Sequence, residues 1–307
     1  MSDEMVIRLV LHGGVIPGAA SLMLLGVLWW VHARKAALPS DESEPKRRGP
    51  RWILPVLLAG GFIAADHVVK VRFEWWPRDN TMRVAHAAAL LGLFGAVEGL
   101  VRLPAWGATL GRAAVFGLLA WMLCEGYAPN AISTPDLWGI VAASAAIGSL
   151  IAHAADRGSE GSPGWQGALA WIALIAALQP MFHLARFSSG SMAMAGVVAV
   201  LTSTLIVSVF VKDLRLSGGG VTVLVGLLLA GVLGAGVQNE PESVPALLLM
   251  GGLPLVFVLA AGGPKRTLLV RGIAIVLIAG TIGALLHFGA AGGGGTDEAD
   301  PYADYYG

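Results

Sequence analysis

Six ionisable residues that could bind a polar ligand stand inside or beside long apolar stretches of the sequence. They are Asp66, His67, Lys70, Arg83, His86 and Glu125. Such groups are costly within a membrane unless they are paired or hydrated, so each is a candidate for function. Asp66 and Lys70 are four residues apart and share a helix face, which makes them a ready ion pair. The six predict either a wet vestibule for a polar ligand or a salt-bridged cap, and we favour the cap because exposed ion pairs are common and individually weak.

A second candidate is an intramembrane charge pair between Glu98 and Arg102. The two residues are again four apart, near the end of an apolar stretch. The favoured interpretation is a structural pair, because an opposite charge one helical turn away lowers the cost of each charge. The alternative is that Glu98 is a carboxylate that couples proton movement to transport.

The histidines suggest a third kind of chemistry. Neutral imidazole is the commonest metal ligand in proteins, and histidines on facing helices could hold a haem. No two histidines share a helix at the i, i+4 spacing of metal-binding helices. Contact with headgroups and water explains them more simply, and a pH-sensitive or metal-binding site is the alternative. The residues expected near the outer membrane surface are His12, His67, His86, His183 and His287, while His32 and His153 map inside.

Motifs for catalysis are missing from the sequence. It contains no phosphate-cradling glycine loop, no zinc-protease helix and no nucleophile elbow. We therefore assign no catalytic residue, metal or cofactor, and the sequence leans against an enzyme. Helix breakers suggest gating instead, since broken helices recur at transporter midplanes. They are Pro17 after Gly13-Gly14, the Gly60-Gly61 pair, Pro180, and Pro254 after Gly251-Gly252.

The elements that carry these residues are predicted to be membrane-spanning helices. Hydrophobic residues make up 56% of the 307 and charged residues only 13%, against about 25% charged in soluble domains. The apolar residues fall in runs of about 20, the length that crosses a bilayer. This predicts an all-α, polytopic bundle of about ten spans in a single domain, residues 1–291. The predicted spans are 6–32, 52–71, 84–103, 108–127, 136–154, 165–185, 191–211, 219–237, 243–261 and 268–289.

Lysines and arginines predict the orientation of the bundle, because cytoplasmic loops are enriched in them. The linker 33–51 is strongly basic, which places it in the cytoplasm and the N-terminus outside. Alternate loops then carry 14 of the 20 basic residues inside. Ten spans place the C-terminus outside as well, so the prediction is an N-out, C-out protein of the inner (cytoplasmic) membrane. This topology puts the first candidate group at the outer ends of spans two, three and four.

The remaining sequence features restrict the partners. Residues 292–307 are rich in glycine and carboxylates, which predicts a disordered acidic tail. The formal net charge is zero, so no nucleic-acid partner is expected. Cys124 is the single cysteine, which excludes an intramolecular disulfide. The expected partners are the lipid bilayer and other proteins within the membrane.

Two resemblances extend these predictions. Ten spans in about 300 residues is similar in size to the drug/metabolite transporter superfamily, whose two five-span repeats have both ends in the cytoplasm, unlike the orientation predicted here. The stretches 75–83 and 85–93 resemble a segment of uncharacterised multi-spanning proteins of planctomycete-type bacteria, and this resemblance implies no activity.

Three functions fit the sequence. A permease for a small solute or ion is slightly preferred, because of the span number, the helix breakers and the intramembrane charges. A non-catalytic membrane subunit or scaffold is the alternative, favoured by short loops and missing motifs. The third is a membrane redox or metal-binding protein that uses the outer histidines.

Overall fold

The computed structural model describes residues 7–36, 50–70, 77, 83–101, 103–128, 132–160, 162–185, 187–211, 214–238, 244–260 and 263–292. Ten α-helices run through these ranges, and no strand occurs in them. The all-α helical bundle predicted from the sequence is confirmed. Backbone groups cannot bond to water inside a bilayer, so helices that satisfy their own hydrogen bonds are the expected solution for these apolar runs.

The helices are numbered here in chain order. A π-helical turn, Leu9–Val15, precedes α1, and 3₁₀ turns follow α4 (Glu125–Tyr127) and α9 (Leu253–Val258). The α-helices are α1 Ile16–Ala36, α2 Ile53–Lys70, α3 Val84–Leu100, α4 Ala105–Cys124, α5 Thr134–Glu160, α6 Gly164–Leu184, α7 Ser188–Phe210, α8 Gly219–Gln238, α9 Val244–Gly252 and α10 Pro264–Gly292.

Each of the ten predicted spans corresponds to one of these helices. Eight of the described helices are long and apolar enough to cross a membrane, and the exceptions are α3 and the short α9 with its 3₁₀ turn. The chain is therefore an integral membrane protein with multiple membrane-spanning helices. Most of the linker predicted over 33–51 and nearly all of the tail predicted over 292–307 lie outside the described residues.

Two spans differ from the prediction of one regular helix each. The first begins as the π-helical turn around Gly13-Gly14, and α1 then continues to Ala36. In the ninth, α-helix gives way to 3₁₀ helix at Leu253, directly after Gly251-Gly252 and one residue before Pro254. Glycine weakens a helix, and proline removes a backbone donor, so the α-helical hydrogen bonds fail at this point.

Helix α8 lies at the centre of the bundle. It contacts α2, α3, α4, α5 and α9, and 78% of its apolar window is buried. Helices α1 and α10 lie at the periphery, with only 17% and 22% of the corresponding windows buried. In a membrane, the exposed apolar side chains of α1 and α10 would contact lipid. The bundle therefore has a centre that faces protein and a rim that faces lipid.

Glycines let the central helices approach each other closely. A Cβ atom on Gly219 of α8 would overlap the carbonyl oxygen of Gly95 on α3, and a Cβ on Gly92 would lie 2.6 Å from that of Ala59 on α2. Small residues at helix contacts are the usual means of packing in lipid, where van der Waals contact drives association. Gly92 and Gly95 of α3 therefore serve packing against α2 and α8.

The neighbouring pair Gly60 and Gly61 offers a test of this packing. A Cβ on Gly61 would lie 2.8 Å from the carbonyl oxygen of Gly196, whereas a Cβ on Gly60 would meet nothing within 4 Å. We expect Gly61→Ala to destabilise the protein by about 1–3 kcal/mol through overpacking. Gly60→Ala should be neutral or slightly stabilising, because alanine favours the helix. Thermal unfolding of the two variants in detergent measures the difference, and equal melting temperatures would contradict it.

The predicted orientation can be tested with thiol labelling, because Cys124 is the single cysteine and is buried. In a Cys124→Ala background, Thr134→Cys and Glu160→Cys place one thiol at each end of α5. Both positions are exposed. We expect a membrane-impermeant maleimide to label position 134 in intact cells and position 160 only after permeabilisation. Labelling of position 160 in intact cells would reverse the topology.

Candidate functional site

The first predicted group begins with an ion pair on α2. The Lys70 ammonium lies 2.8 Å from an oxygen of Asp66, and Asp66 is buried although it is charged. Two histidines, exposed His67 and half-buried His86 on α3, lie within electrostatic range of the same carboxylate. Burial of a carboxylate is tolerated when it is paired with an opposite charge, and Lys70 supplies that charge.

The second part of this group joins the start of α3 to the end of α4. The buried Arg83 guanidinium donates to the Glu125 carboxylate at 2.6 Å and to the carbonyl oxygens of Met122 at 3.2 Å and Pro77 at 3.0 Å. Arginine has five N–H groups in a fixed fork, so one side chain can tie several chain segments together. Arg83 therefore ties the start of α3 to the end of α4.

The six predicted residues thus gather at one end of α2, α3 and α4, where four of them form two ion pairs. None of them lines the cavity described below. The vestibule that they could form stays a prediction. The sequence also predicts that four residues between α2 and α3 add to the group. These residues, Arg72, Glu74, Arg78 and Asp79, lie outside the described residues.

A buried charge network lies at the opposite end of the bundle. The Arg112 guanidinium on α4 bonds to the Glu98 carboxylate on α3 and, at 2.7 Å, to the Asp156 carboxylate on α5. Its side chain is 2% exposed and that of Glu98 is 7% exposed. Two carboxylates therefore share one cation within the bundle.

The start of α8 completes the network. The Thr222 hydroxyl donates to Glu98 at 2.8 Å, and the Gly218 backbone N–H donates to Asp156 at 2.6 Å. Gly218 has a φ of +57°, a left-handed conformation that glycine adopts without steric cost. Each carboxylate therefore has a second, uncharged donor besides the arginine. Because four helices contribute, the network ties together the centre of the bundle.

The predicted Glu98–Arg102 pair is not described, because Arg102 lies outside the described residues. Sequence reasoning missed Arg112 as the partner of Glu98 and Asp156 as the second carboxylate bonded to Arg112. Arg112 falls inside predicted span 108–127, so its charge within an apolar run was a usable signal. The predicted span ended at residue 154, which placed Asp156 in a loop. In the structure α5 continues to Glu160, so Asp156 lies within the helix.

A cavity of about 980 Å³ lies beside this network, between the end of α5, the start of α6, the 3₁₀ turn Leu253–Val258 and the start of α10. Its size is that of a pocket for a small organic molecule. The positive-inside rule predicts that this end of the bundle faces the cytoplasm. Its lining comprises His153, Ala154, Arg157, Gly158, Ser162, Pro163, Gln166, Phe257, Val258, Ala260, Gly263, Pro264, Thr267 and Arg271.

Arg271 of α10 connects the walls of the cavity. It donates to the carbonyl oxygens of Phe257 at 2.6 Å, Leu259 at 3.1 Å and Gly158 at 3.1 Å, and to the Ser162 hydroxyl at 2.9 Å. Its guanidinium also lies over the Phe257 ring, 5.3 Å from the centroid. Arg271 therefore supplies donors to the carbonyl groups that the 3₁₀ turn leaves without α-helical partners.

The cavity wall is apolar behind this arginine and basic around it. Phe257 stacks on Trp171 with ring centroids 4.6 Å apart, which holds the ring in place. Arg157 and His153 add two more basic side chains, and no acidic residue belongs to the described lining. The cavity therefore presents positive charge next to an apolar surface.

The remaining predicted histidines belong to no cluster of three metal ligands in the described part of the chain, because no three His, Cys, Asp or Glu side chains come together there where they could hold a metal ion. His153, which the sequence placed on the inner side, lines the cavity. His67 and His183 are exposed.

Comparison of the chain with protein-family models, with curated proteins and with solved structures gave no match.

Proposed function

We propose that the protein is a permease for a small solute in the cytoplasmic membrane. The observation that carries the proposal is the break in the ninth span at a cavity. Helix α9 ends at Gly252, and the 3₁₀ turn that follows lines the cavity with Phe257 and Val258. Irregular backbone inside a membrane is tolerated where it is enclosed by protein or borders a hydrated cavity.

Broken helices suit transport for a physical reason. They leave backbone groups that can bind a solute, and they provide a point at which one part of the protein can move against another. In this chain the freed carbonyl groups of Phe257 and Leu259 are held by Arg271 of α10. Hydrogen bonds from the Arg271 side chain therefore bridge the break in place of the α-helical backbone bonds.

The last turns of α5 place the charge network next to the cavity. Asp156 bonds to Arg112 and Gly218, while the neighbouring Arg157 and Gly158 line the cavity. A change in the network would therefore move residues that a solute contacts. This supports the interpretation of Glu98 as a coupling carboxylate, since Glu98 shares Arg112 with Asp156.

A second candidate, a non-catalytic subunit or scaffold, is favoured by the periphery. Helices α1 and α10 bury little of their surface in the bundle. They expose large side chains such as Trp30, Met23, Val276 and Leu277. A partner's helices could cover these surfaces, although lipid covers them equally well.

Flux through proteoliposomes tests the proposal. The full chain is reconstituted and uptake is measured with labelled small carboxylates, inorganic phosphate, amino acids and sugars. We expect saturable uptake of at least one class. Pro254→Ala should change the maximal rate and the apparent KM together, because it alters the break where the helix is expected to bend.

Pro180→Ala is the matched control. Pro180 lies inside α6, which continues through it, and its side chain is exposed. Its replacement should leave uptake unchanged. Absence of uptake for every class, with correctly folded protein, would reject the permease and favour the subunit.

A further inference from the structure

We infer that the cavity binds an organic anion, with a carboxylate or phosphate group held by Arg271, Gln166 and Arg157. This inference names the ligand class of the cavity on which the proposed function rests. It depends on three features of the described cavity, namely its basic side chains, a side-chain amide that opens into it, and the helix ends that surround it.

The first feature is a buried cation without a carboxylate. Arg271 is 3% exposed, and within the described chain its bonds go to three carbonyl oxygens and one hydroxyl, with no carboxylate in ion-pair range. A buried charge is normally paired, since desolvation is costly. The same protein pairs its other buried arginines, Arg83 and Arg112, with carboxylates. Arg271 differs from both because it lines a cavity that can admit an anion.

The second feature is Gln166. Its side chain is 3% exposed and lines the cavity, yet none of the hydrogen bonds between described residues involves its amide group. The amide is not among the fully buried polar atoms that lack a partner, so it opens into the cavity rather than into the packed core. The amide NH₂ can donate to an anionic oxygen, so an anion would satisfy it.

The third feature is the surrounding charge. The N-termini of α6 and α10 border the cavity through Pro163 and Pro264, and the positive end of a helix favours anions. The acidic residues nearest in sequence do not line it. Asp156 is bonded within the charge network, and the Glu160 side chain is exposed. Nothing acidic in the described lining therefore opposes an anion.

The volume and the apolar wall indicate an anion with an organic body. A cavity of about 980 Å³ is much larger than a phosphate ion, and Ala154, Val258 and Ala260 provide apolar surface beside Arg271. Two sources supply such a ligand: a soluble organic acid or phosphate ester, and the headgroup of an anionic phospholipid. The chemistry at Arg271 is the same for both.

Thermal unfolding in nanodiscs tests the inference, with tryptophan fluorescence as the signal. Wild-type protein in phosphatidylcholine nanodiscs is titrated with inorganic phosphate, acetate and, as a cationic control, choline. A parallel sample contains phosphatidylglycerol. We expect the anions to raise the melting temperature and choline to have no effect, since a ligand that binds the folded state stabilises it.

Two variants and one control locate the site without disturbing Arg271. Arg157→Gln removes an exposed charge, and we expect it to raise the half-saturating anion concentration about tenfold, as expected when one charge-assisted hydrogen bond is lost. Gln166→Leu should do the same, because it removes the amide donor that opens into the cavity. Arg266→Gln changes an exposed residue near the same end of α10 that is not in the lining, and it should have no effect.

The outcomes separate the sources and the two proposals. Stabilisation by phosphate or acetate that is lost in Arg157→Gln and Gln166→Leu identifies a soluble anion. Stabilisation by phosphatidylglycerol alone, lost in the same two variants, identifies a lipid headgroup. Absence of any anion effect, or equal loss in Arg266→Gln, overturns the inference. Uptake of a neutral or cationic solute without anion binding would overturn the anion site and leave the permease proposal standing. Anion binding without any flux would support the anion site and reject the permease.

Discussion

Replacing Arg112 with methionine is expected to destabilise the protein by about 3–5 kcal/mol, the cost of removing one partner from a buried ion pair. Arg112 is 2% exposed and bonds to both Glu98 and Asp156. Methionine would fill much of the space but leave two buried carboxylates without their cation. Thr222 and the Gly218 N–H would remain as donors, but neither carries a charge.

The measurement is the free energy of unfolding in mixed detergent micelles. A triple variant, Glu98→Gln with Arg112→Met and Asp156→Asn, removes all three charges and should recover most of the loss, because no orphan charge remains. Arg266→Met, at an exposed position, is the control and should be nearly neutral. If Arg112→Met proved as stable as the triple variant, the two carboxylates would not depend on Arg112 for their stabilisation.

Replacing Gly158 with alanine is expected to lower the free energy of unfolding by more than the roughly 1–3 kcal/mol that overpacking usually costs. A Cβ at this position would overlap the carbonyl oxygen of Phe257, so backbone rather than a flexible side chain would have to move. That oxygen and the Gly158 carbonyl both accept hydrogen bonds from Arg271. The substitution should therefore also separate the 3₁₀ turn from α5 and disturb the cavity.

Gly139→Ala is the matched control for this experiment. It lies in the same helix, and a Cβ there would meet nothing within 4 Å. Thermal unfolding and solute uptake are measured for both variants. Wild-type stability in Gly158→Ala would mean that the contact between α5 and the 3₁₀ turn is looser than described.

The helices of this fold could be predicted from the sequence because hydropathy depends only on residues that are close together in the chain. The run that became α7 was predicted over 191–211 and lies at Ser188–Phe210. The ninth span was the exception. Its apolar run continues unbroken past Pro254, so hydropathy reports a span of ordinary length even though the backbone changes from α to 3₁₀ at Leu253.

The sites were harder to predict because they depend on how each helix is rotated about its axis. Arg112 meets Asp156 at a separation of 44 residues, and Arg271 meets Gly158 at 113. In a soluble helix a polar face would reveal the rotation, but these helices are apolar on nearly all sides. The Asp66–Lys70 contact could be foreseen because both residues lie on one helix. Gln166 was overlooked because one amide in an apolar run gives no indication of what it faces.

The central position of α8 has a consequence for biosynthesis. Ribosomes release α1 to α7 into the membrane before residues 219–238 exist, although α2, α3, α4 and α5 all pack against those residues. The nascent chain must therefore wait with an unfilled centre, where the carboxylates of Glu98 and Asp156 lack the donors of Thr222 and Gly218. Chains truncated after α7 should consequently be substrates for membrane quality-control proteases, whereas chains that end after α9 should escape degradation for longer.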